Sequence, residues 1–419
     1  MAAELATQKL AQEKTMIQLF KIAFRDLLRN KRRSFFSALA LGLGLGVLLL
    51  MAAFVNGEMR GALENTLRFE SGHLQVRVAD YNAAKTSLAW KDLVENPTEL
   101  AAKIASLPPV LAATPRLFAS GIVTAGNESR GVRIIGIDPA SSANEMYRQS
   151  LLRGEFLSAD DRSGILIGLA LAEKLNLKVG DSLTLLANTA SGEIVQQPFS
   201  VRGIFSTGIS GYDRATVFLP LAKAQTLVGT ENHASIIFIL LHDKEQAETV
   251  QSALTGSQYQ AVTWREMNAL LTQTEQMAGG FMVIFYLIVL GITATVITNT
   301  LIMSVFERTR EIGILSAIGM KSGRILSMFL AESFLLGIGG ILLGYLIGGA
   351  MVWYYTTYGF YIGNMGMTGI LIQDTIYTSL NLSDAVTLSI VALIVTLLAG
   401  LYPSLLAARM EPADALRGK

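Results

Sequence analysis

The stretch Ser34-Phe-Phe-Ser-Ala-Leu-Ala-Leu-Gly-Leu-Gly-Leu-Gly-Val-Leu-Leu-Leu-Met-Ala-Ala-Phe-Val-Asn-Gly57 decides the fold, because none of its side chains carries a charge. About 20 consecutive apolar residues are enough for an α-helix to cross the hydrocarbon core of a bilayer. We therefore predict a first transmembrane helix over residues 34–57.

Two further regions are equally depleted in charge. Residues 276–306 carry no charged side chain, and residues 325–408 contain no Lys, Arg or His. The second region is too long for one helix, and a stretch rich in Tyr, Gly, Asn and Thr interrupts it. Four buried core helices are a less favoured alternative, since core helices of globular proteins rarely run this long without a charge. The predicted second, third and fourth transmembrane helices cover residues 279–306, 325–354 and 384–408, with a periplasmic loop at 355–383.

The whole chain of 419 residues holds 34 Lys and Arg against 33 Asp and Glu, and only 16% of its residues are charged. A soluble domain carries about 25% charged residues. The deficit excludes an ordinary cytosolic enzyme, a disordered protein and a nucleic-acid partner bound through overall basicity. The chain has no cysteine, which excludes disulfides and thiolate metal sites.

The near-neutral total conceals an uneven distribution of charge. Residues 1–33, 307–324 and 409–419 together hold 15 basic against 7 acidic residues, whereas residues 58–275 hold 19 against 23. Cytoplasmic loops of membrane proteins carry an excess of Lys and Arg. The pattern predicts a multi-pass protein with both termini and the 307–324 loop in the cytoplasm. Because no small-residue cleavage site follows the first apolar stretch, we expect it to remain as an uncleaved anchor.

Residues 58–278 have the composition of a soluble domain. Alternating stretches such as His73-Leu-Gln-Val-Arg-Val predict strands, and they are interspersed with short helical patterns. The predicted fold class is an integral membrane α-helical protein with four transmembrane helices and a large α+β extracytoplasmic domain between helices 1 and 2. A strand-rich subdomain is expected at about 118–200, inserted into the α+β core.

Catalytic chemistry is not predicted. The three histidines, His73, His233 and His242, stand outside any metal or hydrolase motif. The only Gly-Lys pair is at the end of the sequence, so the chain has no phosphate-binding P-loop. We therefore expect no catalytic residue, cofactor or metal site in this chain, and no enzyme activity.

The most specific motif is Phe306-Glu-Arg-Thr-Arg-Glu-Ile-Gly-Ile-Leu-Ser-Ala-Ile-Gly-Met320. Four charged residues in its first turns, followed by an apolar stripe, predict a short helix along the membrane surface that presents charges to a protein below. A plain positive-inside anchor is the alternative interpretation.

Three segments carry a resemblance to a known family. Glu307-Arg-Thr-Arg-Glu-Ile-Gly313, followed by Ala317-Ile-Gly319, resembles the coupling segment of the FtsX/MacB-type permease family of ABC transporters. The N-terminal stretch 20–34 is similar to the amphipathic helix that precedes the first span of that family, which here forms a cytoplasmic segment at 1–33. The stretch 401–417 is similar to its closing motif.

The resemblance implies partners and contact residues. Two copies of an ABC ATPase would bind ATP and Mg, and a second permease subunit would complete a homodimer or heterodimer in membrane lipid. The residues implied to couple to the ATPase are Glu307, Arg308, Thr309, Arg310, Glu311, Ile312 and Gly313. A second cytoplasmic contact is implied for Arg409, Glu411, Pro412 and Arg417.

Two stretches favour one branch of the family. Ser71-Gly-His-Leu-Gln-Val76 and the segment 212–225 resemble lipoprotein-releasing, Lol-type permeases. That branch implies release of a lipoprotein substrate from the bacterial inner membrane to a periplasmic carrier. One alternative is a MacB-like efflux or export permease with a separate adaptor and outer-membrane duct. Another is a non-transport signalling permease that activates a cell-wall hydrolase.

Several residues inside the predicted spans are candidates for function. Apolar side chains near the outer ends of spans one and two would line an entry for acyl chains, although plain lipid-facing residues are the alternative: Leu50, Phe54, Val55, Phe281, Met282 and Phe285. Gly340, Gly344 and Gly348 are spaced by four, which predicts close helix packing, within the subunit or across a dimer. Glu332 is an intramembrane acid with either a functional role or a structural bond.

Overall fold

Four long apolar helices form the membrane part of the protein. The computed structural model describes residue 18 and residues 20–82, 88–254, 258–363 and 371–411. The four helices, called spans one to four, are Lys31–Thr66, Ala269–Glu307, Ser322–Tyr358 and Leu382–Ala408. Each is long and apolar enough to cross a membrane. The predicted fold class is thereby confirmed.

Spans one, two and three are longer than the predicted apolar stretches. Span one continues as a single π-helical turn, Leu67–Ser71, which makes a helix of 41 residues. At about 1.5 Å per residue, such a helix is roughly twice as long as the 30 Å hydrocarbon core of a bilayer. An apolar stretch marks only the part of a helix that lies in the hydrocarbon. It does not include charged residues that continue the same helix beyond the membrane.

The chain forms two compact units. The first, called the helical unit, contains residues up to Glu58, Gln276–Phe360 and the residues from Tyr377 onward. It includes a helical segment at 20–29 and a short helix, Thr309–Ala317. The second, called the α+β unit, contains Met59–Glu275 and Tyr361–Ile376. Part of the stretch predicted as a loop between spans three and four therefore belongs to the α+β unit.

The α+β unit is built on one large sheet. Its strands and the short strand pairs of the chain are β1 (Leu74–Arg77), β2 (Val94–Glu95), β3 (Val110–Ala125), β4 (Glu128–Ile137), β5 (Leu151–Gly154), β6 (Gly164–Gly168), β7 (Ser182–Asn188), β8 (Ile194–Phe205), β9 (Thr216–Pro220), β10 (His233–Ala234), β11 (Ile236–Leu241), β12 (Gln260–Thr263), β13 (Phe360–Tyr361) and β14 (Thr375–Ile376). Its α-helices are Pro97–Ala105, Glu145–Gln149, Leu169–Leu175, Ser210–Ala215, Leu221–Val228, Ala247–Leu254 and Trp264–Met267.

Six strands of this sheet pair in a closed ring, in the order β3, β4, β9, β6, β8, β7 and back to β3. The β4–β9 and β6–β8 pairs are parallel, and the others are antiparallel. Buried side chains from these strands form a common apolar core, among them Val123, Ile134, Ile167, Leu185, Val201 and Val217. Strand β3, 16 residues long, leaves this ring at its start and pairs there with β11.

The strands of the ring occupy a longer stretch of the chain than the strand-rich subdomain predicted at about 118–200. The strand-rich region begins in β3 and ends with β9 at Pro220, so it extends beyond both predicted limits. It shares β3 with the β11–β1–β12 part of the sheet. The physical reason is the length of β3, which is long enough to pair with different neighbours along its two halves.

Candidate functional site

The guanidinium of Arg308 lies at the centre of a buried ionic cluster in the helical unit. Its nitrogens lie 2.7 Å from the Asp26 carboxylate, 3.2 Å from Glu311 and 3.6 Å from Glu332. The side chains of Arg308, Asp26 and Glu332 are each less than 10% exposed. The guanidinium also lies over the ring of Phe329, at 5.6 Å from its centroid. We call these residues the Arg308 cluster.

This cluster joins three separate segments of the chain. Asp26 belongs to the helical segment 20–29, Glu311 to the helix Thr309–Ala317, and Glu332 to span three. Removing one partner of a buried ion pair costs about 3–5 kcal/mol, because a charge is then left buried without compensation. The cluster therefore holds the 307–317 segment firmly against the helices on either side of it.

Two ion pairs that are more exposed than the cluster lie beside it. Arg29 lies 2.9 Å from Glu311, and Arg33 lies 2.5 Å from Glu307. Partly exposed pairs of this kind contribute about 0–1 kcal/mol each. Burial raises the pKa of Glu311, but hydrogen bonds and charge from Arg29 and Arg308 outweigh burial and hold this pKa below its ordinary value. Glu311 is therefore held in its charged form.

Glu332 makes structural bonds in this arrangement. The hydroxyl of Ser304, in span two, donates to its carboxylate at 3.4 Å. With Arg308 on its other side, the Glu332 carboxylate links spans two and three to the 307–317 segment. Of the two roles considered for this intramembrane acid, the structural bond is the one that its contacts describe.

The helix Thr309–Ala317 ends in a defined stop signal. Gly319 has φ +98°, a conformation that residues with a Cβ rarely adopt. Its N–H donates to the carbonyl of Ser316, and the N–H of Met320 donates to the carbonyl of Leu315, both at 3.0 Å. This is the Schellman pattern, in which a left-handed residue satisfies the last carbonyls of a helix. It explains why the sequence places a glycine directly after Ala317-Ile318.

The seven predicted coupling residues do not share one surface. Arg308, Ile312 and Gly313 are buried, and Ile312 belongs to an apolar cluster with Val305 and Phe329. Thr309 is half-buried, and Glu307, Arg310 and Glu311 are exposed. The inward-facing residues hold the helix in place, because successive helical side chains point in different directions.

The outer face of the same helix carries an exposed stripe. Arg310, Ile314 and Ile318 follow one another at intervals of four residues, which places them on one side of a helix. Ile314 is 45% exposed and Ile318 is 80% exposed. We call these three residues the exposed stripe. An arginine with two exposed isoleucines has the composition of a protein contact surface.

The second predicted contact lies after span four. Arg409 and Glu411 are exposed, whereas Pro412 and Arg417 lie outside the described residues. Ala407 belongs to the same apolar cluster as Ile312, and Met410 packs against it. The end of span four thus packs near the helix Thr309–Ala317.

Gly340, Gly344 and Gly348 face span one within the subunit. A Cβ atom on Gly340 would lie 2.4 Å from the Leu41 side chain, and one on Gly348 would lie 2.6 Å from the backbone of Gly46. Gly42 belongs to the same contact, since its Cβ would lie 2.7 Å from Leu343. Gly44 faces Thr293 in span two instead. Small residues on both helices let spans one and three approach closely.

The predicted substrate-lining residues differ in exposure. Leu50, Phe54 and Val55 are half-buried, and Phe281 and Phe285 are exposed on one face of span two. Met282 is only 7% exposed and packs in the helical core with residues such as Leu45 and Leu290. It therefore does not line an open wall of this subunit, because it points about 100° away from Phe281 on the helix.

Sequence reasoning missed one acid and two arginines, which lie just before span one and in its first turn. Asp26, Arg29 and Arg33 were read only as part of a positive segment, but each pairs with a residue of the 307–311 stretch. One signal was present, since Asp26 is the only acid between Lys14 and Arg33. A single acid in a basic segment beside a membrane span needs a partner, and Arg308 is that partner.

Comparisons with known proteins agree with this architecture. Residues 34–257 match the family described as MacB-like periplasmic core domain, and residues 283–412 match the FtsX-like permease C-terminal family. The first match covers more than half of the chain.

Three relatives illustrate the range of similar proteins. The lipoprotein-releasing system transmembrane protein LolC of Neisseria meningitidis is 24% identical over 94% of this chain and 98% of its own length. The corresponding LolE protein of Haemophilus influenzae is 24% identical over 91% of this chain and 93% of its length. The macrolide export ATP-binding/permease protein MacB of a Shewanella strain is 22% identical over 95% of this chain and 60% of its length. With four apolar spans and both matched regions in the expected order, the chain belongs to the family of ABC transporter permeases that combine a MacB-like periplasmic core domain with an FtsX-like permease region.

Proposed function

We propose that this permease releases lipoproteins from the outer leaflet of the bacterial inner membrane and passes them to a soluble periplasmic carrier. The observation that carries the proposal is the similarity to LolC and LolE, which extends over more than nine tenths of this chain and of both relatives. The chain itself provides no P-loop, so the energy would come from ATP and Mg bound by two copies of a partner ATPase. A second permease subunit, identical or related, would complete the complex.

In this proposal the exposed stripe receives the movement of the ATPase. Arg310, Ile314 and Ile318 face outward, while Arg308 and Ile312 fix the same helix to the helical unit. A push on the outer face would therefore be passed to the 20–29 segment and to span three through the Arg308 cluster. Arg409 and Glu411, also exposed, would add a second contact. The positive-inside rule supports a cytoplasmic location for this end of the helices and for both termini.

Acyl chains of the substrate would enter from the membrane beside spans one and two. Phe281 and Phe285 present an exposed apolar face of span two, and Phe54 of span one is half-buried. Apolar walls of this kind favour acyl chains over water.

Reconstitution of the complex in liposomes tests the proposal. The expected result is ATP-dependent transfer of a lipid-anchored protein from the liposomes to a soluble carrier. Reversing the charge of the exposed stripe with Arg310→Glu should lower the transfer per ATP hydrolysed, because the ATPase contact is lost. Arg153→Glu is the matched control, since Arg153 is an exposed arginine of strand β5. Transfer at the wild-type rate by the Arg310 variant would refute the coupling assignment.

A second candidate function is the export of a small molecule through an adaptor and an outer-membrane duct. It is supported by the match to the MacB-like core domain and by the 22% identity to MacB over 95% of this chain. Under this alternative, depletion of the protein sensitises cells to drugs and leaves lipoproteins correctly sorted. Under the leading proposal, depletion strands lipoproteins in the inner membrane.

A further inference from the structure

A segment between spans three and four is bound to the α+β unit. Span three ends at Tyr358 and span four begins at Leu382, and both lie in the helical unit. Residues Tyr361–Ile376, however, lie in the same compact unit as the large sheet. The part of this segment at 371–376, called the strap, makes the contacts described next.

Asp374 is the principal anchor of the strap. Its backbone N–H donates to the carbonyl of Gly208 at 2.9 Å. Its carboxylate accepts from the backbone N–H of Ser210 at 3.2 Å and from the Ser210 hydroxyl. Hydrogen bonds to a charged acceptor are roughly twice as strong as those between neutral groups. Asp374 thus forms three hydrogen bonds to the turn at 206–210, one through its backbone and two through its side chain.

The turn that receives Asp374 is itself braced. Asp213 is 2% exposed and accepts from the Thr207 N–H at 3.1 Å, from the Thr207 hydroxyl at 2.7 Å and from the Ser206 hydroxyl at 3.0 Å. These bonds join Ser206 and Thr207, which precede Gly208, to Asp213, which follows it. The strap is therefore bound to a hydrogen-bonded turn of the α+β unit that directly follows strand β8.

The other end of the strap is anchored separately. The side-chain amide of Asn65 donates to the carbonyl of Leu371 at 3.0 Å. Asn65 is itself buried, and the side chain of Leu371 packs against the apolar cluster that contains Phe69 and Tyr212. The strap is thus held at two places, one polar and one mainly apolar.

We propose that the strap ties the start of span four to the α+β unit, with Asp374 as its positioning residue. Only residues 377–381 separate the strap from span four. Five residues reach at most about 18 Å when fully extended. Any larger movement of the α+β unit away from the start of span four must therefore pull on that span or break the Asp374 contact. The inference rests on the proposed function in one respect, which is that the α+β unit moves during the ATP cycle.

A reversible cross-link tests the strap. The chain has no native cysteine, so Ser210→Cys combined with Asp374→Cys gives a single pair at the point of contact. The single variant Asp374→Ala should lower the substrate released per ATP by about fivefold, a typical size for coupling between sites. The oxidised double variant should recover most of this loss, and its reduced form should not. Asp374→Asn keeps the size of the side chain, so it is the second variant that distinguishes loss of the contact from a folding defect.

The outcomes separate the strap from the proposed function. Wild-type coupling in Asp374→Ala and in the reduced double variant would overturn the strap. If the wild-type complex releases no lipoprotein at all, the proposed function fails, and the strap is then judged by hydrogen exchange alone. In that measurement, residues 371–376 of the full-length protein should exchange faster in Asp374→Ala than in the wild type and slowly in the oxidised pair. Equal exchange in all three proteins would overturn the strap without reference to transport.

Discussion

Arg308 belongs to the motif predicted to contact an ATPase, yet its side chain is buried among acids of the same chain. The motif from Glu307 to Gly313 suggests a row of charges for an ATPase, but its most buried charge points inward. Arg308 reaches two acids that are as buried as itself, Asp26 and Glu332, and a third, Glu311, at the edge. Its role is to fix the position of the helix whose other face carries the exposed stripe.

Replacing Arg308 should therefore affect stability more than replacing a neighbouring arginine. Arg308→Met leaves Asp26 and Glu332 buried without a cation, and we expect a loss of about 3–5 kcal/mol. Arg29→Met is the matched control, because the Arg29–Glu311 pair is about half exposed and contributes about 0–1 kcal/mol. Unfolding of the purified protein in detergent measures both. Adding Asp26→Asn and Glu332→Gln to Arg308→Met should restore part of the loss, and a further loss on adding them would contradict the account.

Asp213 should give the α+β unit a measurable pH dependence. Burial raises its pKa from 3.8 to about 6, despite hydrogen bonds from Thr207 and Ser206 that act in the opposite direction. The folded state then binds the proton more tightly than the unfolded state, so stability falls as the pH rises from about 4 to 6. The predicted contribution is about 3 kcal/mol.

Comparison with Asp213→Asn isolates this contribution. The variant cannot ionise at this position. As the pH rises from 4 to 7, the wild type should therefore lose stability relative to the variant. Thermal unfolding of the two full-length proteins at several pH values measures this difference. Parallel profiles would show that Asp213 does not titrate in this range.

At the residue scale, the sequence identified the motif at 307–313 and did not reveal which residues of the chain pair with it. It identified the 307–313 motif, but three of those residues face inward because a helix of nine residues must bury one face to be held in place. Asp26 pairs with Arg308 and Arg29 pairs with Glu311, and no local pattern connects residues 282 positions apart. Met282 is buried in the helical core and not exposed beside Phe281, and the sequence does not reveal this, since an all-apolar helix has no polar side to mark its direction.

At the scale of elements, the contact between spans one and three depends on glycines of both helices. Gly348 lies against the backbone of Gly46, and Gly344 lies against Leu45. The spacing of four in span three predicted close packing, and it left open whether the neighbour belongs to the same subunit. The glycines of span one, at 42, 44 and 46, alternate between two neighbours, because residues two apart point to nearly opposite sides of a helix.

Gly348→Ala should disrupt this contact, and Gly349→Ala should not. A Cβ at Gly348 would lie 2.6 Å from the Gly46 backbone, which has no flexible end that can move aside, whereas a Cβ at Gly349 meets nothing within 4 Å among the described residues. Gly349→Ala should raise stability by up to about 1 kcal/mol, because alanine favours a helix over glycine. The Tm of each variant in detergent measures the difference. Equal Tm values for the two variants would contradict the packing described here.

The predicted elements were most accurate where one physical signal dominated. Four spans follow from hydropathy, and their confirmation needed no knowledge of packing. The strand pairing was out of reach, because a ring that joins β3 to β7 depends on contacts between distant parts of the chain. The stretch at 355–383 was predicted as a loop, yet Asp374 binds Ser210 across 164 positions of sequence. A polar residue in a loop gives no indication of such a partner.

At the scale of the whole molecule, the chain is an ABC transporter permease whose two compact units carry different tasks in our proposal. The helical unit holds the coupling segment, and the α+β unit is the part that would act on the substrate. The chain passes between the two units four times: once in span one, once in span two and once at each end of the stretch Tyr361–Ile376 that contains the strap. The overall class and the family were predictable from charge distribution and motifs, whereas the cargo was not, since relatives of similar identity include lipoprotein-releasing and macrolide-exporting proteins.

The identity of the cargo is tested most directly by mass spectrometry of the complex purified with its ATPase in the absence of nucleotide. If the protein is a lipoprotein-releasing permease, acylated polypeptides should copurify with it in near-stoichiometric amount and leave when ATP and Mg are added. A complex that retains no acylated polypeptide but binds a macrolide or a separate adaptor protein would contradict lipoprotein release and favour export.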